Sequence, residues 1–490
     1  MFTDERRCTV WDEIRQLGLR AFAKFLPPAA FREAAQAAGV TLRNNPLNWA
    51  NMVWLGLAAA LDTGKSFADI LVVTFKLLED AAGWRDTPLG HASKSQTRRG
   101  KRRSNKHNPY GQGKVRVSEE AFVQARQRMP MEFWLSLLLL VGERFQAEHP
   151  KYVRWKCFRL LALDGTEILL PSWKCLKKSF GTSSNGRRRR RPQARMVMLA
   201  FPLARVPWRY ELVPRSCHEQ TAAARLLQDL QPNDLVLMDR GFWSFGLFCL
   251  VQQQGAFFAL RLRRRVKMKK LRKLGPDDFL MEWKPAKRSR KRCAWKDWPD
   301  LAESIELRVV RYRIRGFRPT AVVTNVLDPK LISREEWVRM ATVDEAGRVL
   351  DPGLYHRRWE IETLFCELKV RQGMEKSLRG RTPQAITFEV AGHVLLYCLT
   401  RWLMVEAAEE HGVDALRISF TQASRELLDM RQTLLIATPQ RVAQVLLPRL
   451  KKRIAEHLVP LRPGRHYPRA GDHYKKGKYR QAAKLVTSKT

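Results

Sequence analysis

Residues 158–166 read FRLLALDGT. A short apolar run closed by Asp164, Gly165 and Thr166 has the pattern of a buried strand that stops at a turn. Residues 234–242 read DLVLMDRGF and repeat the plan: LVLM forms the core, and Asp239 is followed by Arg240, Gly241 and Phe242. A carboxylate at the carboxyl end of a central strand faces the crevice where open α/β sheets bind ligands. One such aspartate is more often a turn or capping residue. Two of them at matching ends of one sheet, in a basic chain, argue for chemistry. The fold class they indicate is α/β.

The segments around them extend this sheet. Met196–Phe201 and Trp208–Val213 read as further strands, Glu219–Leu230 as a helix, Asp234–Met238 as a strand, Gly246–Gln254 as a helix and Ala256–Leu260 as a strand. The loop GTSSNGRRRRRPQAR carries five consecutive arginines at 187–191, a solvated run that adds to a basic surface. Residues 261–345 are basic and β-like, with RLRRRVKMKKLRKL and KPAKRSRKRCAWK between strands near Leu280–Trp283, Ile305–Ile314 and Thr320–Val326. Pro352 then precedes a long helix, Leu354–Val370, with more helix through Leu428. Upstream, Val117–Phe145 reads as helical, with Ser118 as N-cap and Glu119 and Glu120 in the first turn. Val10–Phe25 and Phe67–Leu78 carry apolar residues at helical spacing, interrupted by Pro27-Pro28 and Asn44-Asn45-Pro46.

The long helix holds the third chemical element, YHRRWEIETLFCELKV, residues 355–370. On a regular helix of about 100° per residue, Tyr355, Arg358, Glu362 and Lys369 fall within about 60° of arc. Ile361, Leu364, Phe365 and Leu368 lie on one side of that stripe, Trp359 and Val370 on the other, and Glu360 and Glu367 point away. A glutamate inside an apolar arc needs a partner. An internal ion pair would serve at a desolvation cost; a metal ion with nucleic-acid phosphates would serve too.

The chain has 490 residues, enough for two to four domains, and 45% of them are hydrophobic, enough for sizeable cores. The formal charge is +42. A compact protein repels itself at that charge unless a polyanion neutralises it, and nucleic acid is the obvious one. Eight cysteines are scattered without zinc-ligand spacing, which fits a reducing compartment. The N-terminus is not a signal peptide, and the apolar run Phe133–Val141 is too short to span a bilayer. A cytoplasmic, nucleoid-associated protein without membrane contact is expected. Three carboxylates without clustered thiols or imidazoles suit hard cations: Mg²⁺, with Mn²⁺ as an alternative. Two such ions clamp both oxygens of a phosphodiester displacement.

These motifs resemble the transposases of the insertion sequence 4 family, bacterial cut-and-paste enzymes of the DDE type. Tyr355, Arg358, Glu362 and Lys369 match the family's Tyr-x2-Arg-x3-Glu-x6-Lys signature, and Asp-Gly-Thr and Asp-Arg-Gly-Phe fit its two aspartate motifs. The resemblance implies an RNase H-like catalytic core with a mixed sheet, interrupted by a β-rich insertion and flanked by helical N- and C-terminal regions. With the composition and pattern read above, it suggests a helical region 1–90 expected to bind DNA, a basic linker 91–116, a first core part with a leading helix 117–260, a basic β-rich insertion 261–345, a second core part 346–420 and a basic helical C-terminal region 421–490 for DNA contact or dimerisation. It further implies that Asp164, Asp239 and Glu362 are catalytic and bind two divalent ions. Tyr355, Arg358 and Lys369 would contact phosphates, and Arg240 beside the second aspartate is assigned to DNA with them. The partners implied are double-stranded DNA (inverted-repeat ends and target) and a second copy of the chain in the synaptic complex. In some members a tryptophan of the insertion holds a flipped base, and Trp283, Trp295 and Trp298 lie there. A non-catalytic DNA-binding regulator and an RNase H-like nuclease without strand transfer are the competing readings. Residues 1–115 match no part of the family pattern.

Overall fold

The apolar segments pair into one sheet of ten strands: β1 Arg154–Trp155, β2 Phe158–Leu169, β3 Gln193–Phe201, β4 Val206–Pro214, β5 Asp234–Met238, β6 Phe257–Arg261, β7 Lys269–Gly275, β8 Asp278–Trp283, β9 Ile305–Tyr312 and β10 Thr320–Thr324. The computed structural model describes residues 19–42, 47–64, 69–70, 118–182, 191–263, 266–285, 301–312, 320–338 and 353–460. The basic linker 91–116, arginines 187–190, Trp295, Trp298 and the tail from 461 lie outside the described residues, as do most of Val10–Phe25 and Phe67–Leu78.

β2, β3 and β4 form an antiparallel meander. β5 lies parallel to β2 on its other side, and β6 lies parallel to β5. Parallel neighbours need long crossovers, usually helical. The Glu219–Leu227 helix precedes β5, and the Phe245–Gln253 helix joins β5 to β6. The order β4-β3-β2-β5-β6 is that of an RNase H-like core. Every residue of β5 is buried, as expected of a central parallel strand covered on both faces.

Two segments depart from the sequence expectations, each for a physical reason, and the insertion proves continuous with the core sheet. β2 does not stop at Asp164 but runs on to Leu169, because β3 keeps pairing with it through Asp164↔Met198 and Gly165↔Val197. The described strands of the 261–345 segment join the core sheet. β10 pairs with β6, and β9, β8 and β7 follow, so the insertion extends the same sheet. Its outer strand β7 carries Lys269, Lys270, Arg272 and Lys273 on an exposed edge, a charge pattern that discourages edge-to-edge association. Val117–Phe145 is two helices, Glu119–Arg128 and Met131–Glu148, because Pro130 cannot continue the first. Ser118 does cap the first, accepting from the Ala121 amide at 3.1 Å.

The Pro383–His411 helix is long and apolar enough by composition to cross a membrane, but its apolar stretch is wholly buried inside the protein. It packs on the Trp49–Leu61 helix, where a Cβ on Gly392 would sit 2.9 Å from the Gly56 carbonyl oxygen. Only glycine lets the two backbones approach so closely.

Candidate active site

β2 and β5 set the position of both aspartates through their register. The ladder runs from Arg159↔Asp234 to Leu163↔Met238, and the next residue on each strand is Asp164 and Asp239. The register is locked at its far end by a bidentate ion pair, Arg159 Nε–Asp234 Oδ1 and Arg159 Nη2–Asp234 Oδ2, both 2.6 Å. Both side chains are buried, 7% and 1% exposed. Asp164 is therefore the residue at which β2 loses its parallel neighbour, although the strand itself continues.

The chain carrying Glu362 is one rod of three windings: a 3-10 turn Leu354–Arg358, an α-helix Trp359–Cys366 and a π-helical turn Glu367–Arg371. A constant helical angle does not describe it. The polar stripe nevertheless forms, and three of its members bind the strands that carry the aspartates. The Tyr355 hydroxyl donates to the Met238 carbonyl at 3.0 Å and accepts from the Arg261 amide at 3.1 Å, fastening the rod beside Asp239. Arg358 donates through Nη2 to Glu362 Oε1 at 2.7 Å and places Nη1 3.5 Å from Asp164 Oδ2. Lys369 Nζ donates to Thr166 Oγ1 at 3.1 Å and to the Glu167 carbonyl at 2.5 Å, with Glu375 at 3.3 Å. Tyr355 is buried, Arg358 is 4% exposed on its side chain, and Arg240 is exposed.

The Tyr355 hydroxyl satisfies two backbone groups at once. Tyr355→Phe is expected to destabilise the fold by about 1–3 kcal/mol, since both would be left unmet in a buried place. A denaturant midpoint equal to the wild type would contradict that assignment.

Burial pushes the Asp164 carboxyl up to about 7, against the pull of the Gly165 amide and the Arg358 guanidinium, while Glu362 and Glu219 push it further up. Burial also raises Glu219; Arg195 opposes the rise, and Asp239 and Glu167 add to it. Carboxylates are thus gathered around one guanidinium, whose Nε and Nη1 are buried without a hydrogen-bond partner. Carboxylate oxygens without thiols or imidazoles are the donor type that suits hard divalent cations, and the unmet Arg358 donors suit an anion beside them.

Among the described residues, one trio of ligand atoms lies within 4.8 Å of one another, and it is elsewhere: Glu148, His149 and Glu406. Its groups are already engaged. Trp402 Nε1 donates to His149 Nε2 at 3.0 Å, Glu409 lies 2.8 Å from Nδ1, and Lys24 and Lys451 neutralise Glu406. Asp164, Asp239 and Glu362 are not drawn into such a trio; Arg358 stands between Asp164 and Glu362.

Some of the surroundings escaped the sequence reading. Trp359 and Val370 are 41% and 62% exposed, so the stripe has core on one side only. The Arg358 guanidinium lies 5.1 Å from the Trp359 ring centre. Glu360 and Glu367, on the far side, both bind Arg205, at 2.7 and 3.1 Å, and the Tyr397 hydroxyl donates to Glu367 at 2.7 Å. Alternation gives no signal for that buried network, because its partners are far apart in sequence. Trp283 packs against Trp243, Phe245 and Phe248 at ring separations of 5.2–5.5 Å, an aromatic core position.

A family model described as "Transposase DDE domain" matches residues 155–399. The chain is 26% identical over 372 residues to "Transposase InsG for insertion sequence element IS4" of Escherichia coli (strain K12), covering 72% of this chain and 79% of that relative. It also aligns with the cryo-EM structure of the piggyBac transposase synaptic complex with hairpin DNA, with a TM-score of 0.38 and 9% identity, over 94% of this chain and 88% of that one.

Proposed function

The chain belongs to the transposase DDE domain family, and from that premise we propose that it binds the ends of a mobile DNA element, cleaves them and joins the freed 3′ ends to target DNA. The observation that carries this is the register-matched placement of Asp164 and Asp239, with Glu362 tied to Asp164 through Arg358.

Family membership implies divalent-metal use, and Asp164, Asp239 and Glu362 would hold two Mg²⁺ ions. When bound, these supply charge neutralisation at the phosphate and an activated water or 3′ hydroxyl. The chain's own residues do the rest. Arg358 holds Asp164 and Glu362 against their mutual repulsion, and its unmet donors would take an oxygen of the substrate phosphate. Lys369 steadies the strand after Asp164 and would exchange its Glu375 contact for a phosphate of the cleaved end. Arg240, exposed beside Asp239, reaches the backbone. Trp359, exposed at the mouth, offers a ring on which a base can stack. Tyr355 acts by positioning the rod. The basic edge strand β7 and the overall charge of +42 supply sequence-independent affinity for double-stranded DNA. We assign residues 1–90 to DNA binding and 421–490 to DNA contact or pairing of two copies, and place the protein with the bacterial nucleoid in the cytoplasm.

Incubation of the protein with Mg²⁺, labelled element ends and a target plasmid separates the alternatives. Joined product is expected. Binding alone would indicate a regulator, and cutting without joining a nuclease. Lys369→Ala is expected to weaken engagement of the pre-cleaved end about tenfold, the loss of one charged hydrogen bond, and to leave affinity for random DNA nearly unchanged. Equal losses in the two titrations would remove its assignment to the end.

A further inference from the structure

The segment after β2 turns charge of one sign to solvent. Between Glu167 and Glu211 the chain has no acidic residue. The short helix Lys174–Phe180 places Lys174, Lys177 and Lys178 on one exposed face, with Leu176 and Phe180 buried behind them. Trp173, just before it, is 42% exposed. Arg381, in the turn before the Pro383–His411 helix, is exposed too and lays its guanidinium over that indole, 4.7 Å from the ring centre. The Cys175 thiol donates to the Arg381 carbonyl, fastening the backbone that carries the guanidinium. Arg191, also exposed, reaches back to the Leu170 carbonyl at 3.4 Å.

The Trp173–Arg381 pair has the form of a prepared anion contact. A guanidinium stacked on an aromatic face keeps its N–H edges free, and those edges match phosphate oxygens. Among the described residues, the Arg381 guanidinium has no ion-pair partner. Exposed cations gathered without acids repel one another, and a polyanion relieves that repulsion. This surface is continuous with the active site. Leu169, the last residue of β2, donates its amide to Glu375 Oε1 at 3.0 Å, and Glu375 also faces Lys369 at 3.3 Å. Trp173 follows Asp164 by nine residues. Even a fully extended chain spans no more than about 32 Å over that length, roughly nine base pairs of duplex.

We propose that Arg381, ordered by Trp173, binds a backbone phosphate of the element-end duplex within about nine base pairs of the cleaved bond, and that Lys174, Lys177 and Lys178 follow the same backbone. The occupant is the element end because of the order of the reaction proposed above, on which this inference rests. Flanking DNA leaves after cleavage and target DNA arrives only for joining, whereas the end is bound throughout.

Fluorescence anisotropy of the full chain on a pre-cleaved element-end duplex tests this, each backbone phosphate in turn being replaced by a neutral methylphosphonate. The wild type should lose about tenfold in affinity at one phosphate within that span, the scale of one charged hydrogen bond. Arg381→Ala should bind the unmodified end about tenfold more weakly and be indifferent to that replacement. Trp173→Ala changes no charge, yet should also weaken binding, because the guanidinium loses its support. Trp173→Ala combined with Arg381→Ala should bind no more weakly than Arg381→Ala alone, since the two side chains make one contact. Both are exposed, so thermal melting of each variant should match the wild type. The same scan on uncut duplex with flanking DNA, and on the joined product, locates the contact. If both single variants bind the end like the wild type, the surface has no such role. If the phosphate sensed by Arg381 lies only in flanking or target DNA, the element-end assignment is overturned. If the wild type does not distinguish the end from random duplex, the proposed function fails first and this contact with it.

Discussion

Glu362→Ala is expected to lower DNA cleavage by more than about 100-fold while binding of the element end survives. Outer partners of a metal site typically cost about 10–100-fold when removed, so a ligand should cost more. The side chain is 35% exposed and its hydrogen-bond partner is Arg358, which keeps Asp164 within reach when Glu362 is gone. The fold therefore has little reason to fail. Removing one negative charge leaves the protein more cationic, so electrostatic attraction to DNA cannot weaken on that account. Cleavage and gel-shift titration on the same preparation read the two effects separately. A variant that cuts at the wild-type rate would show that Glu362 is not a ligand, and one that loses both activities in proportion would point to misfolding.

Arg159→Ala should produce the largest loss of stability, about 3–5 kcal/mol, because it strands the Asp234 carboxylate in a buried site. The pair is bidentate, and neither side chain is more than 7% exposed. Its effect on function follows from register. Arg159 and Asp234 face each other across β2 and β5, and Asp164 and Asp239 follow at the same offset along the two strands. Loosening the pair removes the constraint that sets the acids side by side. Urea unfolding of the variant should show a lowered midpoint, and Arg159→Met with Asp234→Leu should recover much of the loss, since apolar residues of similar volume can replace a buried pair. An unchanged midpoint in Arg159→Ala would mean that the register is held elsewhere.

The core sheet could be read from sequence because its strands are buried on both faces and appear as unbroken apolar runs. β5 was legible to the residue, and the two aspartates announced themselves as the first polar groups after such runs. The helix signature was legible from spacing alone, although the rod that carries it mixes three windings. Spacing did not tell what those residues touch. Tyr355 and Lys369 spend their polar atoms on backbone groups of β5, β6 and β2, contacts made across more than ninety residues of sequence. β7 was missed because its residues are basic and exposed, so no apolar alternation marks it as a strand. The break at Pro130 was printed in the sequence but masked by the long apolar pattern on either side.

Once DNA is bound, three acids distant in sequence are expected to share divalent cations. Anomalous diffraction from crystals of the protein with a pre-cleaved end and Mn²⁺ tests it most directly. Two Mn²⁺ peaks roughly 3.5–4 Å apart are expected, ligated by Asp164, Asp239 and Glu362, with Arg358 turned from the carboxylates to a phosphate. Density with no Mn²⁺ at these residues, and Arg358 still bridging Asp164 and Glu362 in the presence of DNA, would contradict it.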